Sequence, residues 1–257
     1  MHSGEHFRPD WRDEAAYRPL LAADRSLLAW EWLRRDKGYR GAAAQAVEEG
    51  EAGRLLERPE RWGLHAFEPP DLAVPDGRPV WCGDVDPHVL AVRARPGAGD
   101  DVLDLERLAP LCRLLSGEAD RQHLLICDGL RSIRIDVVEG KIQQGRIHLE
   151  DLIAGFDQAE KPLLAVRRLL ALRRTGRFST ALHPPQSRAG RFVLTLRAWD
   201  ALASGATQRE IAAWLLDEDA QLGRWRVRAP SLRSRAQRLA RSARRMAAGG
   251  YRALLAG

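Results

Sequence analysis

The chain has 257 residues, a net charge of +6 and a 45% apolar fraction, which excludes an intrinsically disordered protein. The basic side is almost all arginine, 38 Arg against 3 Lys, and it is segregated: residues 184–257 carry +9 while residues 1–183 carry −3. No apolar run approaches the ~18 residues of a membrane span, and the polar start, Met1 to Asp13, is not a secretory signal. Cys82, Cys112 and Cys127 are scattered without C-x-x-C spacing, as expected of reduced, partly buried thiols in a cytoplasmic protein.

Residues 10–60 are aromatic and charged. Trp11, Tyr17, Leu20 and Leu21 recur near helical spacing, as do Leu27, Leu28, Trp30, Trp32 and Leu33. Asp24 is placed to cap the second of these segments and Gly38 to end it. Further helices are predicted over Ala42–Glu49, ending at Gly50, and over Ala52–Leu56. Residues 1–65 thus read as a helical interaction domain, with Trp11, Tyr17, Trp30 and Trp32 as candidate interdomain or partner contacts, or simply as a small core.

Residues 66–158 read as a loop-rich connector with a small antiparallel sheet. Pro69-Pro70, Pro75, Pro79, Pro87 and Pro96 break the chain, with one strand predicted within Val85–Arg95 and a short helix over 104–115, interrupted by Pro110. Arg121–Cys127, Leu130–Val138 and Lys141–Ile147 are short β-branched runs separated by Asp128-Gly129 and Glu139-Gly140, a hairpin cue. His148–Phe156 reads as a helix, and so does Leu163–Arg174, with a stripe of Leu163, Val166, Leu169, Leu170 and Leu172, stopped by Gly176.

Residues 159–257 carry the information. After the Pro184-Pro185 break comes a helix over Phe192–Ala203, closed by Gly205. Thr207-Gln208-Arg209-Glu210 then spells a capping box ahead of Ile211, Ala212, Trp214 and Leu215. This is the front of a helix-turn-helix, followed by an unusually long segment, Asp217–Pro230. A long helix opening at Ser231 and ending at Gly249-Gly250 separates Leu232, Ala236, Leu239, Ala240, Ala243, Met246 and Ala247 from a polar face.

That face holds Arg233, Arg235, Arg238, Arg241, Arg244 and Arg245, and no acid follows Asp219. A solvated helix face ordinarily mixes signs, because like charges repel. An acid-free arginine face calls for an anionic partner, and double-stranded DNA is the natural one, since the guanidinium fork matches phosphate and guanine. Ser231, Ser234 and Gln237, with Arg209 on the preceding helix, complete the candidate DNA-binding set. The plainer reading is an amphipathic helix whose arginines meet water or acids of the same chain. Membrane insertion is disfavoured by an alanine-rich apolar face without aromatics.

Enzyme motifs are missing. The seven His show neither H-E-x-x-H nor H-x-x-R spacing, and there is no P-loop, G-x-G-x-x-G or G-x-S-x-G. Asp84 and Asp86 alone are weak metal candidates, so no enzyme, metal or cofactor is expected. The predicted class is α+β, mainly α: a helical N-terminal unit, a small central sheet and a C-terminal helix-turn-helix.

From about Pro162 to Leu255 the chain resembles the bacterial domain-of-unknown-function family 2285. The resemblance rests on Arg167-Arg168-Leu169, Leu196-Arg197-Ala198-Trp199-Asp200-Ala201-Leu202, Gly205 through Ile211, Arg224-Trp225, Ser231 through Arg235, and Ala248-Gly249-Gly250-Tyr251-Arg252. Asp10-Trp11, Tyr17, Ala29 through Arg35 and Arg61-Trp62-Gly63-Leu64 resemble the partner domain often fused in front of it. Trp32 and Trp199 depart from the residues expected there. The resemblance implies an extended-turn helix-turn-helix in a nucleoid-associated activator of excision and transfer genes on integrative and conjugative elements of proteobacteria. It implies a small antiactivator as a partner, and RNA polymerase is a further candidate partner for an activator. The alternative is an antiactivator or interaction module that does not read DNA itself.

Overall fold

A computed structural model describes residues 8–49, 58–142, 145–153, 155–156, 159–216 and 225–256. The chain opens with a 3-10 turn, Ala15–Leu21, and α1, Arg25–Leu33. Asp24 caps α1 by accepting from the Leu27 N–H at 3.1 Å. α1 ends well before Gly38, which instead lies inside α2, Lys37–Glu49. A Cβ at Gly38 would lie 2.9 Å from the Trp62 ring, so this glycine serves helix packing rather than termination. The predicted helix over 52–56 lies outside the described residues.

The connector carries β1, Val89–Pro96, and β2, Leu103–Asp104. The helix predicted over 104–115 is only one turn, α3, Leu105–Leu108, followed by a 3-10 turn, Ala109–Leu111, that contains Pro110. Its remainder is β3, Cys112–Ser116, paired antiparallel with β4, Gln122–Cys127. β5, Ser132–Gly140, returns antiparallel to β4 around Asp128-Gly129, as the hairpin signal predicted. Gly129 takes φ +92°, and a Cβ there would meet the Pro75 carbonyl oxygen at 2.6 Å.

Glu139-Gly140 does not make a second hairpin. β6, Arg146–Leu152, passes β1 and pairs antiparallel with its far edge, while β1 runs parallel to β5 on the other. The sheet is therefore six-stranded and mixed, in the order β2-β6-β1-β5-β4-β3, not small and antiparallel. The helix predicted over His148–Phe156 is also corrected. Ile147 and Leu149 alternate with His148 and Glu150, and ladder bonds to β1 fix that stretch as a strand.

One sheet face packs Leu90, Val92, Ile133, Ile135 and Val137 against Ala165, Leu169 and Leu172 of α4, Glu160–Thr175. Leu163 and Leu170 of the predicted α4 stripe are exposed instead. Leu125 and Cys127, on the other sheet face, enter the core of the N-terminal unit. That core includes Trp30, Tyr39, Leu64 and Trp81, and also Val193, Leu196, Tyr251, Leu254 and Leu255 from the C-terminal part. The sheet is thus a scaffold between α4 and the N-terminal helices, and the chain end, α8, Ala253–Ala256, returns to pack on α1. No helix among the described residues is long and apolar enough to cross a membrane.

Candidate nucleic-acid interface

Three helices form the C-terminal unit: α5, Ala189–Ala203; α6, Gln208–Leu215; and α7, Trp225–Ala247. The turn between α5 and α6 is made by Gly205 at φ +83° and by the complete capping box. The Glu210 N–H donates to Thr207 Oγ1 at 3.2 Å, and the Thr207 N–H donates to Glu210 Oε2 at 2.8 Å. The Thr207 N–H and the Thr207 hydroxyl, both donating to Glu210 Oε2, hold this carboxyl below its ordinary pKa. α7 packs on α5 and α6 through small residues. Ala198, Ala201, Ala212, Ala236, Ala240 and Ala243 are buried around Ile211 and Leu232, so the backbones approach closely.

α7 begins at Trp225, so Ser231 lies inside the helix and does not open it. The long turn expected over 217–230 is shortened accordingly, with residues 217–224 outside the described set. Ser234 and Gln237 therefore occupy the middle of α7, not its first turn.

Ser231, Arg233, Ser234, Arg235, Gln237, Arg238, Arg241, Arg244 and Arg245 are all exposed. Arg209 is exposed in the first turn of α6. Among the described residues no carboxylate pairs with any of the six α7 arginines from Arg233 to Arg245. At 100° per residue, Ser234, Arg238, Arg241 and Arg245 fall in one stripe about 16 Å long, with Gln237 beside it. A helix with a bare cationic stripe of this length fits a DNA major groove, about 12 Å wide.

Three of the four aromatic candidates in the N-terminal unit border the C-terminal helices. Trp11 and Tyr17 reach the C-terminal helices. Trp11 is buried against Ala201 and Ile211 and meets Trp214 edge-on, ring centroids 6.4 Å apart. The Arg12 guanidinium lies 4.1 Å from the Trp11 ring centroid and 5.5 Å from that of Trp214, in cation–π geometry. The Tyr17 hydroxyl donates to Asp200 Oδ2 at 2.7 Å, and burial together with Asp200 holds the phenol above its ordinary pKa. Trp30 instead lies within the N-terminal core, its Nε1 donating to the Leu72 carbonyl at 2.8 Å. Trp32 lines a crevice shared with Trp199 and Arg244.

Sequence reasoning missed the charged centre of this junction. Arg35 Nε and Nη2 donate to Asp200 at 2.8 and 2.9 Å, and Arg35 Nη1 also bonds Glu31. Glu31 accepts from Arg34 Nε at 2.9 Å and from the Val74 N–H at 2.8 Å. Burial alone would raise the Glu31 carboxyl, but Arg35 and Arg34 hold it below the carboxylate range. The available signal was three charged residues, Glu31, Arg34 and Arg35, set among the tryptophans and leucines of α1 and its end.

Among the described residues, one group has the donors for a metal ion: His65, His123 and Asp136. His123 Nδ1 lies 2.8 Å from Asp136 Oδ1, and the His65 ring stacks on His123 with centroids 3.5 Å apart. Arg134 Nη2 donates to the same Asp136 oxygen at 2.8 Å, so a cation would have to displace a guanidinium. Burial pushes the Cys82 and Cys127 thiols up to about 12 and Cys112 to about 11, which leaves them protonated and poorly nucleophilic.

Two family models match the chain. Residues 153–256 match the one described as "T6SS, Transcription factor, DNA binding domain". Residues 10–65 match the one described as "Proteobacterial transcriptional regulator-like domain". No curated protein matches the chain. The first match contains α4 through α8, and the second contains Trp11, Tyr17, Glu31, Arg34 and Arg35, whose partner Asp200 lies in the first. These domains mark the chain as a DNA-binding transcriptional regulator.

Proposed function

We propose that the protein is a sequence-reading activator, not an enzyme, that docks α7 in the major groove upstream of excision or conjugative-transfer genes on a mobile element. The observation that carries DNA contact is the acid-free stripe of Ser234, Arg238, Arg241 and Arg245 on a helix seated against α5 and α6. Arg233, Arg235 and Arg244 flank it as phosphate contacts, and Arg209 and Ser231 extend the basic surface. The mobile-element target rests on the resemblance to the domain-of-unknown-function family 2285 and its N-terminal partner domain. The same resemblance supports a small antiactivator as an opposing partner, and an activator's role makes RNA polymerase the other.

The basic α7 face favours this reading over an antiactivator that never touches DNA. Immunoprecipitation of the protein from its source cell, with sequencing of the bound DNA, tests it. Discrete sites upstream of excision or transfer genes are expected, with a nucleoid-associated protein pool. Even coverage of the chromosome would replace sequence reading by an architectural role.

A further inference from the structure

A cavity of about 420 Å³ lies where the N-terminal unit, the sheet and α4 meet. Its volume falls within the roughly 300–1,000 Å³ range of small-molecule sites. Five arginines line it, Arg25, Arg131, Arg134, Arg167 and Arg168, against two carboxylates, Asp24 and Asp86. Both carboxylates have partners of their own. Asp24 caps α1 and accepts from the Ser26 and Ser132 hydroxyls at 2.8 and 2.5 Å. Asp86 lies 3.1 Å from both the backbone N and the Nδ1 of His88.

Arg131 pairs with Asp128 at 3.2 Å and Arg168 Nε donates to the Leu182 carbonyl at 2.9 Å, but Arg134 is less well provided. Arg134 is 3% exposed and spends Nη2 on Asp136, while its Nε and Nη1 are buried without a hydrogen-bond partner. His183 is 7% exposed. Its Nδ1 lies 3.0 Å from the Ser179 carbonyl, which only accepts, and burial keeps the ring neutral, so Nδ1 carries its one proton and Nε2, an acceptor, adds nothing to an anion site. Buried donors lacking acceptors cost free energy, and the guanidinium fork matches the oxygens of phosphate and carboxylate.

We propose that this cavity binds a small molecule bearing a phosphate or carboxylate group, taken by Arg134, Arg167 and Arg168. None of the six described α7 arginines, Arg233 to Arg245, lines it, so the site is separate from the DNA-facing stripe and does not depend on that reading. Ala23 and Arg25 on its wall belong to one matched segment, and Arg167 and His183 to the other. A ligand here therefore touches both.

The test is calorimetric titration of the full chain in low-chloride buffer, with pyrophosphate as the phosphate probe and citrate as the carboxylate probe. One saturable site is expected for at least one probe, the tighter of the two assigning the head group. The Arg25→Ala/Arg167→Ala variant, altered at partly or fully exposed positions, should weaken that site by about tenfold or more. Arg134→Gln should do the same where circular dichroism shows it folded, and Arg238→Ala/Arg241→Ala should leave it unchanged. Absence of saturable binding at millimolar concentration, unchanged affinity in the Arg25/Arg167 variant, or loss in the Arg238/Arg241 variant would overturn the proposal. The last outcome would mean that the probes merely coat α7.

Discussion

Arg35 and Asp200 stand 165 positions apart and meet in a two-toothed ion pair, with Nε and Nη2 of the one 2.8 and 2.9 Å from the carboxylate of the other. Their side chains are 1% and 2% exposed, so neither charge has water to fall back on. The pair joins the end of α1 to the last turn of α5 and thereby ties the N-terminal unit to the helix that supports α7. Removing one partner of such a buried pair strands the other charge. We expect Asp200→Asn to cost about 3–5 kcal/mol of folding stability, and Tyr17→Phe, which removes one bond to the same carboxylate, about 1.5–3 kcal/mol. Urea unfolding checks both. An Asp200→Asn midpoint within error of the parent would show that the junction is held by its apolar contacts alone.

Glu31 of this centre and Asp136 on β5, beside His123 and Arg134, set an acid limit on stability. Glu31 and Asp136 are both held below their ordinary values of 4.5 and 3.8, each by neighbouring basic side chains that outweigh burial. A carboxyl depressed in the folded state contributes its full stabilisation above the unfolded value. It loses that contribution as pH falls through the folded one. Stability should therefore be level in this respect above about pH 5 and decline steadily below it. In Glu31→Gln the parent's decline between neutral pH and pH 3 should be shallower, from a lower starting value. An identical slope in parent and variant would place the acid-sensitive group elsewhere.

Phosphate contact by α7 has a signature in salt. Each phosphate neutralised contributes a log–log slope of about −0.9, so six arginines predict about −5. Arg238→Ala/Arg241→Ala should reduce that slope by about two units and weaken binding to all duplexes alike. Both side chains are exposed, so the melting temperature should stay close to that of the parent. Titrations at several salt concentrations read the slope directly. A variant with the parent's slope would remove this stripe from the interface.

The turn before α6 offers an independent check on the three-helix unit. Thr207→Ala deletes the cap and leaves the Glu210 N–H without its side-chain acceptor, at a cost of about 1 kcal/mol. The measure is again the urea midpoint. No change would mean that α6 is held by the packing of Ile211 and Ala212 alone.

Local signals were legible where the chain's own neighbours decide the structure. The Asp24 cap, the Asp128-Gly129 hairpin and the Thr207–Glu210 box depend on residues two to four apart, and all three stand as read. The errors arose where distant partners decide. His148–Phe156 contains the leucine and acidic residues of a helix, yet β1, some fifty positions away, claims its backbone. Cys112–Ser116 is a strand only because β4 lies beside it. The exposed arginines of α7 were visible as a pattern, whereas Arg35–Asp200 was not. An arginine and an aspartate so far apart carry no mark in the sequence that they will meet.

Where α7 begins decides which side chains can read bases. Recognition helices ordinarily contact base edges through their N-terminal turns. With α7 starting at Trp225, Ser234 and Gln237 sit mid-helix, flanked by Arg233, Arg235 and Arg238. A helix lying along the groove can still present its middle to the bases, since an amide such as Gln237 can bond adenine N6 and N7 together. We expect Gln237→Ala to leave overall affinity for random DNA nearly unchanged and to relax preference at one or two positions, by about 1–3 kcal/mol each. Selection from a randomised duplex pool, run on parent and variant, measures this. Should the preferred sequence survive both Gln237→Ala and Ser234→Ala, the middle of α7 only positions the protein on phosphates.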